Sequence, residues 1–128
     1  MRRNSMKTIS LKTLATATEQ EVFDYVAYHL LTQNEKSYLE REGRCTYRGK
    51  SNLKCAGGCL IADDEYKPSF EGNMWAWLVQ TNIAPLNHAT LILDLQHVHD
   101  DYEVVNWREQ LSKVAEEFSL KFNLGELT

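Results

Sequence analysis

The apolar residues of this chain recur with two different periods, and the change of period marks its organisation. From Thr18 the pattern is helical: Val22, Phe23, Val26 and Leu30, with Tyr25 beside them, recur at the spacing of one helix face. The preceding Thr18-Glu19-Gln20-Glu21 has the form of a capping box, Thr18 reaching the Glu21 amide and Glu21 reaching back. A helix over 19–33 is predicted, with Gln33-Asn34 as its stop. Met74, Trp75, Trp77, Leu78 and Val79 predict a short helix after Gly72-Asn73, and Pro85 breaks the chain. Trp75 and Trp77 cannot share one helix face, so one of them is expected at a partly exposed edge. Asn87 to about Asp101 reads as a helix with Leu91, Ile92, Leu95 and Val98 on one side. Leu111, Val114, Ala115 and Phe118 form a second clean stripe, with Asn106 as expected cap and Glu109 at N3.

Between these helices the texture changes. Lys36 to Gly43 is charged and reads as a loop or a frayed helical turn. Cys45-Thr46-Tyr47-Arg48 reads as a strand, Gly49-Lys50-Ser51-Asn52 as a turn and Leu53-Lys54-Cys55 as the return strand. Gly57-Gly58 interrupts the second arm and allows a bulge, a positive φ or a close backbone approach, before Cys59-Leu60-Ile61 resumes the apolar run. Asp63-Asp64-Glu65 suits a helix N-terminus, and Lys67-Pro68-Ser69 marks a loop. Residues 1–17 are weakly patterned and read as a tail or short lead-in, with Met6 as an alternative start. With no repeats and no low-complexity stretch, the expectation is an α+β fold: a mostly helical single domain, 18–128, with one short β-hairpin.

Composition narrows the class. At 128 residues, 43% apolar and 25% charged, the chain has enough apolar content for one core and too much for disorder. No run approaches the roughly 18 apolar residues of a membrane span, and no apolar stretch follows the basic start MRRNSMKTIS, so a cytoplasmic protein is expected. The net charge of −4 averages a +4 segment, 1–59, and a −8 segment, 60–128. Arg41, Arg44, Arg48, Lys50 and Lys54 concentrate the basic excess against Glu42 alone. Such a patch attracts an anion, although charge runs ordinarily decorate solvated surfaces, and an acidic chain is a poor general nucleic-acid binder.

Four candidate sites can be assembled from these residues. Cys45, Cys55 and Cys59, an odd count, argue for reduced thiols and against a disulfide framework. With His97 or His99 as fourth ligand they meet the arithmetic of a structural zinc; the alternative is thiols packed as small apolar groups. A cysteine hydrolase or transferase would use Cys59 or Cys55, backbone N–H groups around Gly57-Gly58 as an oxyanion hole, His97 or His99 as base and Asp100 or Asp101 to orient it. His97 with Asp100 and Asp101, joined by Asp63, Asp64 or Glu65, is a further candidate divalent-metal set, against the plain reading of a histidine at a helix C-terminus. Arg44 and Arg48 beside Tyr47, with Lys50 and Lys54, form a cation–aromatic set able to grip a base and a phosphate.

Cys45-Thr-Tyr-Arg-Gly, Leu53-Lys-Cys-Ala-Gly-Gly-Cys-Leu-Ile with Asp63, Asp64 and Tyr66, and Leu95-Gln-His-Val-His-Asp with Trp107 and Val114-Ala-Glu-Glu-Phe follow one another in a fixed order. Over residues 18–120 this pattern resembles a family of small bacteriophage and bacterial proteins with no assigned activity. The resemblance implies a phage-type accessory protein in the host cytoplasm and carries no catalytic residue or cofactor with it. The resulting expectation is binding without catalysis: a host protein or a small anionic ligand held by Arg44, Tyr47, Arg48, Lys50 and Lys54, with nucleic acid an open but unfavoured partner and no membrane.

Overall fold

The computed structural model describes residues 7–123. These form four α-helices, α1 (Glu19–Gln33), α2 (Trp75–Gln80), α3 (Ala89–Asp101) and α4 (Trp107–Glu117). One antiparallel hairpin pairs β1 (Tyr38–Leu39) with β2 (Arg44–Cys45). The fold is thus α+β and mostly helical, as the hydrophobic periods predict. Among the described residues no helix is long and apolar enough to cross a membrane.

α1 begins at the predicted capping box: the Thr18 hydroxyl accepts from the Glu21 amide at 3.0 Å, and Glu21 accepts from the Thr18 amide at 2.9 Å. Its stripe of Val22, Phe23, Val26, Ala27 and Leu30 is buried. α3 packs against α1, α2 and α4, and buries Leu91, Ile92, Leu95, Val98 and His99. α4 adds Trp107, Leu111, Val114 and Ala115. Asn106 does not cap α4. Its backbone is already helical, because a 3-10 turn over Val104–Asn106 leads directly into the helix and leaves its side chain without a cap bond. Trp75 is buried and Trp77 is partly exposed, as their spacing requires.

The hairpin lies earlier than expected. Lys36–Gly43, read as loop or helical turn, contains β1; Cys45 pairs with Tyr38 and Leu39 with Arg44, around a turn in which Gly43 has φ +67°. The predicted return strand fails for a local reason. Ser51 and Asn52 are left-handed (φ 55° and 63°), and the Ser37 hydroxyl bonds the Thr46 carbonyl (2.8 Å) and the Leu53 carbonyl (3.1 Å). The Leu53 carbonyl also accepts from the Gly49 amide at 2.8 Å, so one bond closes the 49–53 turn and no ladder continues from it. Gly58-Cys59-Leu60 is a 3-10 turn, not a strand. Its glycine is required: a Cβ on Gly58 would lie 2.3 Å from the Tyr47 carbonyl oxygen. Asp63-Asp64-Glu65 opens no helix. Glu65 instead accepts from the amides of Ala62 (2.8 Å), Leu11 (2.9 Å) and Lys12 (3.1 Å).

That carboxylate fastens the N-terminal segment to the domain. Ile9, Leu14 and Ala17 are buried in the core, so residues 7–17 are an integral part of it; residues 1–6, also read as tail, lie outside the described residues. Leu14→Ala is expected to lower stability by about 2–5 kcal/mol in a urea titration, the range for a truncated core leucine. A change below about 0.5 kcal/mol, as for an ordinary surface site, would return this segment to the status of a tail.

Candidate functional site

The hairpin, the 71–75 loop and α3 enclose a pocket of about 470 Å³. Its walls include Tyr38, Tyr47, Trp75, Met74 and Leu93, and its polar groups include Arg44, Cys45, Asn73, Gln96 and Asp100. Gly57 sits where Tyr47, Trp75 and Gln96 converge; a Cβ there would meet all three at 3.0–3.2 Å. The Tyr47 hydroxyl donates to the Asn73 carbonyl at 2.8 Å and ties the hairpin side of the pocket to the 71–75 loop. The Trp75 indole N–H is buried with no hydrogen-bond partner among the described residues.

The basic patch is dispersed by the fold. Arg48 turns inward: its guanidinium donates to the carbonyls of Gly58 (2.9 Å) and Ile61 (2.7 Å), reaches Asp63 (3.1 Å) and lies over the Tyr66 ring. Lys54 also reaches Asp63, at 3.6 Å, and Lys50 stands exposed. Arg44 pairs with Glu42 at 3.0 Å and approaches Gly72. Of the five proposed ligand contacts only Arg44 and Tyr47 line the pocket. Asp63, pairing with Arg48 and Lys54, stands apart from the His97 metal set proposed with it.

The thiols are equally altered. Among the described residues, Cys45, Cys55, Cys59 and His97 do not meet at one point, and Cys59 does not meet His99 and Asp100. Cys59 Sγ donates to the Ala56 carbonyl, and Cys55 Sγ accepts from the Gly58 amide. The amides proposed for an oxyanion hole are occupied: Gly57 donates to Gln96 Oε1 (2.8 Å), Gly58 to Cys55 and Cys59 to the Cys55 carbonyl. Burial pushes the Cys55 thiol up to about 12 and raises that of Cys59. Burial and then the Asp100 carboxylate push Cys45 up to about 12. None is a thiolate near neutrality, and the thiolate is the nucleophile.

Cys45, His99 and Asp100 do come together, with ligating atoms within 4.8 Å of one another. Sequence spacing could not select this trio, because β2 and the end of α3 are brought together only by tertiary packing. His99 is nonetheless fully engaged. Its Nε2 accepts from the Ser37 amide at 2.9 Å and its Nδ1 donates to Asp100 at 2.7 Å. Accepting at Nε2 makes the ring the neutral Nδ1–H tautomer, with no lone pair free for a metal or a substrate proton. His97 is exposed and bonded to Asp101 at 2.7 Å.

No family model matches the chain, nor does any curated protein or solved structure.

Proposed function

We propose that the protein is a non-catalytic binding module and that its ligand site is the pocket between the hairpin, the 71–75 loop and α3. The pocket itself carries this reading. Its 470 Å³ falls within the roughly 300–1,000 Å³ of small-molecule sites, and aromatic walls there stand beside convergent polar groups. Inactive thiols and a histidine with both nitrogens engaged favour binding over nucleophilic chemistry. In this reading the hairpin serves as one wall of the site, and Arg48 and Lys54 support the fold around it.

Indole, a flat neutral probe, tests the proposal by amide NMR. A single saturable response is expected at Cys45, Gly57, Gly72, Asn73 and Gln96. Leu93→Trp should block it, because Leu93 is a half-exposed rim residue whose enlargement fills the mouth at little cost in stability. Shifts scattered over the surface, or unaffected by the rim substitution, would remove the pocket as the site.

A further inference from the structure

The electrostatics of the pocket identify a class of ligand. Asp100 contributes a carboxylate whose side chain is 35% exposed, open enough to meet an occupant of the pocket. Its Oδ1 accepts from Gln96 Nε2 at 2.8 Å and from His99 Nδ1 at 2.7 Å. Both donors are neutral: one is an amide, and the other an imidazole whose second nitrogen accepts from the Ser37 amide. Burial alone would raise the proton affinity of this carboxyl, but the bonds from His99, Gln96 and the Cys45 thiol outweigh it and hold the group below its ordinary value. Asp100 is therefore ionised. Among the described residues no lysine or arginine nitrogen lies within ion-pair distance of its carboxylate; Lys36 reaches only its main-chain carbonyl, at 3.3 Å.

The other charged groups around the pocket do not neutralise it. Glu71 is a second carboxylate, filled by the amides of Tyr47 and Arg48 and the Tyr66 hydroxyl. Arg44 is engaged by Glu42, and His97 by Asp101. A carboxylate with no lysine or arginine at ion-pair distance, in one pocket with Tyr38, Tyr47 and Trp75, is the combination that recognises organic cations. The carboxylate supplies a charge-assisted hydrogen bond, and the aromatic rings favour a cation over a neutral group.

We propose that the pocket takes an organic cation, a protonated amine on a flat apolar body, with the ammonium on Asp100 and the body against Tyr38, Tyr47 and Trp75. The inference rests on the pocket-binding reading above and replaces the anion expected from the basic patch. Both sequence-derived contacts that remain, Arg44 and Tyr47, keep a place in it, Arg44 at the wall and Tyr47 against the body.

Three probes sharing an indole body separate the possibilities: tryptamine (cationic), tryptophol (neutral) and indole-3-acetate (anionic), titrated into the full chain with amide NMR. Tryptamine is expected to bind about tenfold more tightly than tryptophol, and indole-3-acetate most weakly. Raising salt from about 20 to about 500 mM should weaken tryptamine several-fold and leave tryptophol unchanged. Asp100→Asn keeps the oxygen that accepts from His99 and Gln96, and should abolish the preference for tryptamine, bringing its affinity down to about that of tryptophol. Equal binding of tryptamine and tryptophol to the wild-type chain overturns the cation inference and leaves the pocket standing. Strongest binding by indole-3-acetate overturns it in favour of an anion on Arg44. Failure of all three to perturb Gly57, Gly72 and Gln96 overturns the pocket reading as well. Should Asp100→Asn not fold, the wild-type ranking and its salt dependence decide the matter.

Discussion

Arg48→Met is expected to destabilise the protein by about 2–4 kcal/mol, the cost of leaving buried carbonyls without the donors that satisfy them. The side chain is 13% exposed and threads between the 46–48 segment and the Gly58–Leu60 turn. Its fork satisfies the carbonyls of Gly58 and Ile61, and it reaches the Tyr47 carbonyl at 3.3 Å. The ion pair with Asp63 contributes little, because that carboxylate is 76% exposed and well screened. The effect lies in the carbonyls: methionine fills the volume but strands them without donors. Arg48→Lys keeps the charge and loses the planar fork, so it should recover only part of the loss. Urea denaturation checks both. A ligand-facing arginine would behave oppositely, leaving stability within about 0.5 kcal/mol and changing only binding, and that outcome would sink the structural role.

The contrast between Arg48 and α1 shows where the sequence is readable. α1 is specified by a face repeating every three or four residues and by a cap whose partners stand three residues apart, so local pattern suffices. Gly57-Gly58 is similarly legible as a place of close backbone approach: a Cβ on Gly58 would collide with the Tyr47 carbonyl. The hairpin is not. Cys45-Thr46-Tyr47-Arg48 has strand composition, but Ser51 and Asn52 turn left-handed after it, and a charged stretch before it supplies the partner strand. Arg48 has the composition of a surface charge because nothing local announces its carbonyl partners, which lie ten and thirteen residues onward. The pocket is less legible still. Its walls come from the hairpin, Cys55, the 71–75 loop and α3, and only the packing of α3 brings Asp100 beside Cys45. The one local hint was the Trp75/Trp77 pair, whose spacing places one ring inward and one outward.

His99→Leu is expected to cost about 2–4 kcal/mol, through an unsatisfied donor more than through lost volume. His99 is fully buried, and its ring lies tilted at 31° to Trp107 with centroids 5.4 Å apart, an apolar contact that leucine retains in part. Leucine cannot accept from the Ser37 amide, so a buried N–H is left orphaned at the point where Ser37 organises the Thr46 and Leu53 carbonyls. It also removes one of the two side-chain donors on Asp100 Oδ1, freeing that carboxylate to move within the pocket. Tryptamine affinity should therefore fall even in molecules that remain folded, whereas a purely structural role would leave it untouched. His97→Leu is the control. His97 is exposed and bonded only within its own helix, so a change within about 0.5 kcal/mol is expected. The same bonding decides the metal question: with both His99 nitrogens occupied, chelation by EDTA should leave the melting temperature unchanged. A zinc held by Cys45, His99 and Asp100 would instead stabilise the native state by mass action, and its removal would lower the melting temperature by several degrees. That drop would show that the Ser37 bond yields to the metal, and would make the trio a ligand set instead of a structural hub.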